Sequence, residues 1–111
     1  MPNVKPLKIF LSCSEYTPLA KTGGLADVTA SLSDYFHSRG QEIRVLLPYY
    51  AGLNLEGRTV EPVTELQDLH MQLGDRGIAY RIMRSVPAVS GPEVYLLDCP
   101  QLYGGDELYS G

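Results

Sequence analysis

Two short, nearly continuous apolar runs, Leu7–Ser12 ("LKIFLS") and Ile43–Pro48 ("IRVLLP"), stand on either side of a single stretch with helical period. No other feature constrains the fold of this chain as much. An unbroken apolar run of strand length is what a strand buried on both faces of a parallel sheet presents. Between the runs, Leu25, Val28, Leu32, Tyr35 and Phe36 recur at three- and four-residue steps, which predicts one apolar helical face. Asp27 falls in the first turn of that helix, where a carboxylate suits the positive end of the dipole. Gly40, after Arg39, supplies a left-handed C-terminal cap. Strand, helix and strand at this spacing predict a right-handed βαβ crossover, hence two parallel strands and an α/β, Rossmann-like sheet.

The connection from the first strand to the helix, "CSEYTPLAKTGG", leaves the carboxyl end of that strand. Open α/β sheets bind their ligands at that edge. The connection runs into "KTGGLADV", Lys21 to Val28. Glycine costs backbone entropy, so the pair Gly23–Gly24 marks either a required conformation or a close approach. Bare amides at a helix N-terminus attract anions, and Lys21 adds a mobile charge with three donors. Together they suit a phosphate or diphosphate. The motif is neither a P-loop, where the lysine follows the glycines, nor a GxGxxG fingerprint. The same residues also read as a tight strand-to-helix turn with a solvated lysine, and the pattern alone leaves both readings open.

Farther along, residues Ala51–Pro62 read as an irregular connection. "ELQDLHMQL" and "IAYRIMRSV" flank the turn signal "GDRG" and predict an added β-hairpin. "EVYLLD", Glu93 to Asp98, reads as a further buried strand. The tail "CPQLYGGDELYSG" shows no regular period and offers no closing helix, which would leave one sheet face poorly covered.

A length of 111 residues bounds the chain to one small domain. A net charge of −4, without basic clusters, argues against nucleic-acid and membrane-surface roles. No apolar segment approaches the ~20 residues needed to span a bilayer. Lys5 and Lys8 before "IFLSC" imitate an export signal, but the apolar part is too short for one. Cys13 and Cys99 lie far apart with no metal-ligand spacing, as expected of buried, reduced thiols in a cytoplasmic protein. No cofactor or metal is expected.

"SEYTPLAKTGGLADVTASLSDYFHSRGQEIRVLLPYY" resembles the N-terminal segment of bacterial glycogen synthases and plant starch synthases. In that family a strand ending in Ser-Glu leads through a proline to Lys-x-Gly-Gly-Leu-Ala-Asp-Val, then a helix and a "VRVLLPxY"-like strand. The likeness spans Leu7 to Tyr50 and continues more weakly through Val94 to Tyr103. Gln41 departs from it, standing where the family often has histidine.

The resemblance implies a retaining glucosyltransferase of two-domain GT-B architecture. Such an enzyme moves glucose from ADP-glucose to the non-reducing end of an α-1,4-glucan. By direct match Lys21 becomes a donor contact, with Gly23 and Gly24 letting the backbone approach the sugar or diphosphate. Asp27 matches the aspartate near the acceptor glucan, and Tyr109, by a looser match, becomes a stacking platform for a glucose ring. Each has a plainer alternative: Asp27 as a helix-terminus carboxylate, Tyr109 as a surface tyrosine. Glu15 reads either as part of the family pattern or as a cap on loop amides. Tyr49 and Tyr50 read as packing at the sheet edge, and His37 as solvated.

Family members run to several hundred residues, so residues 1–111 correspond to the first part of the N-terminal catalytic domain, without the C-terminal donor-binding domain. No catalytic residue is expected within it. One lysine cannot stabilise a departing nucleoside diphosphate alone. Three roles follow: a piece of a glucosyltransferase inactive by itself, a module binding glucan or nucleotide sugar, or a remnant that self-associates through its exposed sheet.

Overall fold

The computed structural model describes residues 6–103. Strand β1 (Lys8–Ser12) leads into helix α1 (Gly24–Ser38) and then strand β2 (Glu42–Pro48). β1 and β2 pair in parallel, with Ile9 opposite Ile43 and Leu11 opposite Val45. The expected βαβ unit is therefore present. Strand β6 (Glu93–Asp98) lies parallel on the other side of β2, with Val45 opposite Val94.

The remaining strands make the sheet mixed. Strands β3 (Arg58–Pro62), β4 (Leu69–Leu73) and β5 (Arg76–Pro87) join it through β5, which pairs antiparallel with β6, β3 and β4. The main order is β1-β2-β6-β5-β3. β4 and β5 form the predicted hairpin. Leu73 pairs with Arg76 across a turn in which Gly74 has φ 65°, a left-handed conformation that favours glycine. Three expectations are corrected here. Residues 58–62 form a strand within the stretch read as irregular, because the long β5 offers them a ladder that their own sequence does not advertise. The tail carries one helical turn, α2 (Pro100–Tyr103), where none was expected. β1 is an edge strand with Leu7 and Phe10 exposed, not a strand buried on both faces.

The core lies on one face of β2 and β6. Ile43, Val45, Leu47, Val94 and Leu96 pack there with Tyr16, Leu19, Ala20 and Tyr50. Among the described residues nothing covers the opposite face, as expected: Phe10, Arg44, Leu46, Val63, Leu66, Ile82 and Tyr95 line a shallow, largely apolar groove across it.

Helix α1 is placed as expected but turned differently. Leu25, Val28, Leu32 and Tyr35 face outward, between 44% and 62% exposed, while Ala26, Thr29 and Ser33 are buried. Phe36 alone of the predicted face packs against the core. Small side chains bring the helix close to the loop before it, where polar groups complete the contact. The Ser33 and Tyr16 hydroxyls lie 2.7 Å apart, and the Thr29 hydroxyl donates to the Glu15 carbonyl at 2.7 Å. A leucine at those positions would hold the helix off. The helix ends as predicted, with Gly40 at φ 77°, its N–H on His37 and the Gln41 N–H on Phe36.

Candidate functional site

Residues 13–23 run over the carboxyl end of the parallel strands, and their backbone is pinned at several points. Tyr16 and Ala20 exchange two backbone hydrogen bonds of 2.9 Å, closing a compact loop around the cis Thr17–Pro18 peptide. Tyr16, Leu19 and Ala20 are buried, so this loop is part of the core rather than draped over it. Tyr50, just beyond β2, donates its hydroxyl to the Ser14 carbonyl at 3.1 Å and packs edge-on against Tyr103. The reading of Tyr50 as packing at the sheet edge holds.

Immediately after Ala20 comes Lys21, and after it Thr22, which is anchored again. The buried Glu15 carboxylate accepts from the Thr22 N–H at 2.5 Å and from the Thr22 hydroxyl. Glu15 thus does cap loop amides, as one of its two readings had it. Lys21 is held between two backbone anchors while its side chain stands half-exposed.

Gly23 is the N-cap of α1 and Gly24 its first residue. Gly23 has φ −169°, extended backbone open to any residue, and no side chain caps the helix. Beyond its chain neighbours and the helix backbone, a methyl group placed on either glycine would meet no atom of the described residues within 4 Å. The protein's own packing therefore gives no reason for glycine at either position.

Asp27 points back over this loop. Both its oxygens lie 2.9 Å from the Lys21 ammonium, and Oδ1 also accepts from the Thr17 hydroxyl at 2.7 Å. The Lys21 hydrogen bond, with Thr17 second, holds the Asp27 carboxyl below its ordinary value. The sequence placed Lys21 and Asp27 in one motif but gave no sign that they pair. Their six-residue separation crosses a loop-to-helix boundary, where helical spacing rules do not apply. Tyr109 lies outside the described residues.

Cys13 and Cys99 are both free, and burial pushes the Cys13 thiol up to about 11. His37 approaches the Ser90 hydroxyl at 3.3 Å, so it is partnered rather than simply solvated. Among the described residues, no group of His, Cys, Asp and Glu gathers to hold a metal ion, and no helix is long and apolar enough to cross a membrane.

Comparison with known proteins gives this edge a context. Residues 8–111 match the family described as the starch synthase catalytic domain. The glycogen synthase of Aeromonas hydrophila is 38% identical over 107 residues, covering 96% of this chain and 21% of the relative. That of Burkholderia thailandensis is 45% identical over 101 residues, covering 88% and 18%. The catalytic domain of starch synthase IV from Arabidopsis thaliana, solved bound to ADP and acarbose, superposes with a TM-score of 0.82 at 20% identity, covering 96% of this chain and 22% of that one. The α/β fold is thus that of a starch synthase catalytic domain over this stretch, and the chain spans about a fifth of the length of these relatives. By its sequence and its fold, the chain belongs to the starch synthase catalytic domain family, the glycosyltransferases that include the bacterial glycogen synthases.

Proposed function

We propose that residues 1–111 form the first part of the N-terminal catalytic domain of a retaining glucosyltransferase that transfers glucose from ADP-glucose to the non-reducing end of an α-1,4-glucan. The observation that carries this reading is the glycine pair. Gly23 and Gly24 are dispensable to the packing around them, yet they border an anchored loop that presents Lys21 at the ligand-binding edge of the sheet. Glycine in open space beside a cation lets a phosphate or sugar come within contact of the backbone. A structural neighbour is bound to ADP, the leaving group of ADP-glucose.

In this reading Lys21 contacts the donor, Gly23 and Gly24 leave room for it, and Asp27 accepts hydrogen bonds from acceptor hydroxyls. Tyr109 is a candidate platform for a glucose ring. The negative charge that develops on a departing diphosphate needs more than one cation, and a sugar nucleotide needs a second wall to exclude water. One lysine does not meet these requirements, so in this reading residues 1–111 do not transfer glucose by themselves.

Titration of ADP-glucose into the chain by calorimetry tests the reading, with Lys21→Ala in parallel. Saturable binding that Lys21→Ala weakens at least tenfold is expected. Absence of saturable binding, or equal binding by Lys21→Ala, would overturn it.

A further inference from the structure

Lys21 and Asp27 are assigned to opposite substrates, yet in the unliganded protein they hold each other. The ammonium has three donors, and two of them reach the Asp27 oxygens at 2.9 Å. Thr17 steadies the same carboxylate through Oδ1. Because the backbone is fixed at Ala20 and at Thr22, Lys21 has little freedom except in its side chain. Turning toward a ligand therefore means turning away from Asp27.

We propose that Asp27 is a positioning residue for donor binding: it holds Lys21 until a diphosphate takes the ammonium, and the carboxylate so released then receives the hydroxyls of the acceptor glucan. The inference rests on the site assignment made under Proposed function. It makes each substrate assist the other, since donor binding frees Asp27 and acceptor binding to Asp27 frees Lys21. Such coupling is reciprocal by thermodynamic necessity. Both side chains are about half-exposed, 49% and 53%, so the pair is weak and readily exchanged. The strength of exposed ion pairs sets the coupling at about two- to fivefold in affinity. A buried pair would lock the lysine; this one only biases it.

Calorimetric titrations of ADP and of maltotriose, separately and together, test the proposal on wild type, Asp27→Asn and Lys21→Ala, with far-UV circular dichroism to check each fold. Saturating maltotriose should raise the affinity of the wild type for ADP about two- to fivefold. Asp27→Asn should bind ADP tighter than wild type by a similar factor, and maltotriose should no longer change that affinity. Removal of a repelling charge alone would tighten ADP binding but leave wild type without coupling to maltotriose. ADP binding by Asp27→Asn no tighter than wild type, or equal coupling in both proteins, would overturn the proposal. Lys21→Ala separates the two levels. If it binds ADP as wild type does, the site assignment itself fails; if it loses ADP while Asp27→Asn gains nothing, only the positioning role fails. Binding of ADP by Asp27→Asn with no maltotriose-dependent binding by wild type is the result of a removed repelling charge and overturns the proposal, and binding by neither overturns both. Asp27→Ser serves the same purpose should asparagine disturb the helix start.

Discussion

Replacing Gly23 and Gly24 by alanine separates two reasons for a glycine: the needs of the fold and the needs of a ligand. The geometry assigns almost nothing to the fold. Gly23 is extended, Gly24 opens α1, and beyond its chain neighbours and the helix backbone a methyl at either position meets no atom of the described residues within 4 Å. No strain is introduced, and alanine restricts the unfolded chain more than glycine does. The expected stability change for Gly24→Ala is a gain of about 0.4–1 kcal/mol. At the N-cap position Gly23 the preference for glycine over alanine offsets this gain, so the double variant should stay within about 1 kcal/mol of wild type. Binding should weaken. Two methyl groups would occupy the space through which a phosphate or sugar reaches the backbone, and affinity for ADP-glucose should fall at least tenfold, equivalent to about 1.4 kcal/mol. Urea unfolding followed by circular dichroism gives the first quantity and calorimetry the second. Destabilisation beyond about 1 kcal/mol would show that the glycines serve the fold. Unchanged affinity would show that no ligand approaches there.

Other consequences can be measured independently. Because Lys21 holds the Asp27 carboxyl below its ordinary value, the stabilisation from that pair is present above the ordinary carboxylate pKa and lost as pH falls through the lowered one; carboxyl-carbon NMR should show the Asp27 midpoint rise in Lys21→Ala, and an unmoved midpoint would deny the pair. The outward turn of α1 predicts that Leu32→Ala changes stability by no more than about 0.5 kcal/mol, whereas Leu47→Ala, which empties a fully buried position, costs about 2–5 kcal/mol by urea unfolding. A Cys13 thiol raised from 9.0 to about 11 holds about a hundredfold less thiolate at neutral pH, and should alkylate with iodoacetamide correspondingly slowly.

Where one period dominated, the sequence could be read directly. The βαβ start followed from two apolar runs flanking a helical pattern, the hairpin from a glycine turn between two strand-like runs, and the C-cap from Gly40. The orientation of α1 could not be read that way. Hydrophobic periodicity identifies an apolar stripe but not what lies against it, and here Leu25, Val28, Leu32 and Tyr35 form the outer stripe while Ala26, Thr29 and Ser33 fit the close contact. β1 read as doubly buried because its composition suits that role, although among the described residues its outer edge and Phe10 are uncovered. β3 was illegible because "RTVEP" carries little strand signal and takes its conformation from β5. Within the site, Lys21, the glycines and Asp27 were all visible as a motif. The Lys21–Asp27 pair and the grip of Glu15 on Thr22 were not, since both depend on how the loop folds back across the helix start.

The proposed function requires Lys21 and the amides beside it to meet a nucleotide sugar at the sheet edge. Backbone amide NMR of the chain during titration with ADP-glucose tests this most directly. Saturable shifts confined to Lys21–Leu25 and the first turn of α1 are expected. Saturable shifts centred elsewhere, such as the open groove around Phe10 and Tyr95, or no saturable shifts at all, would contradict it.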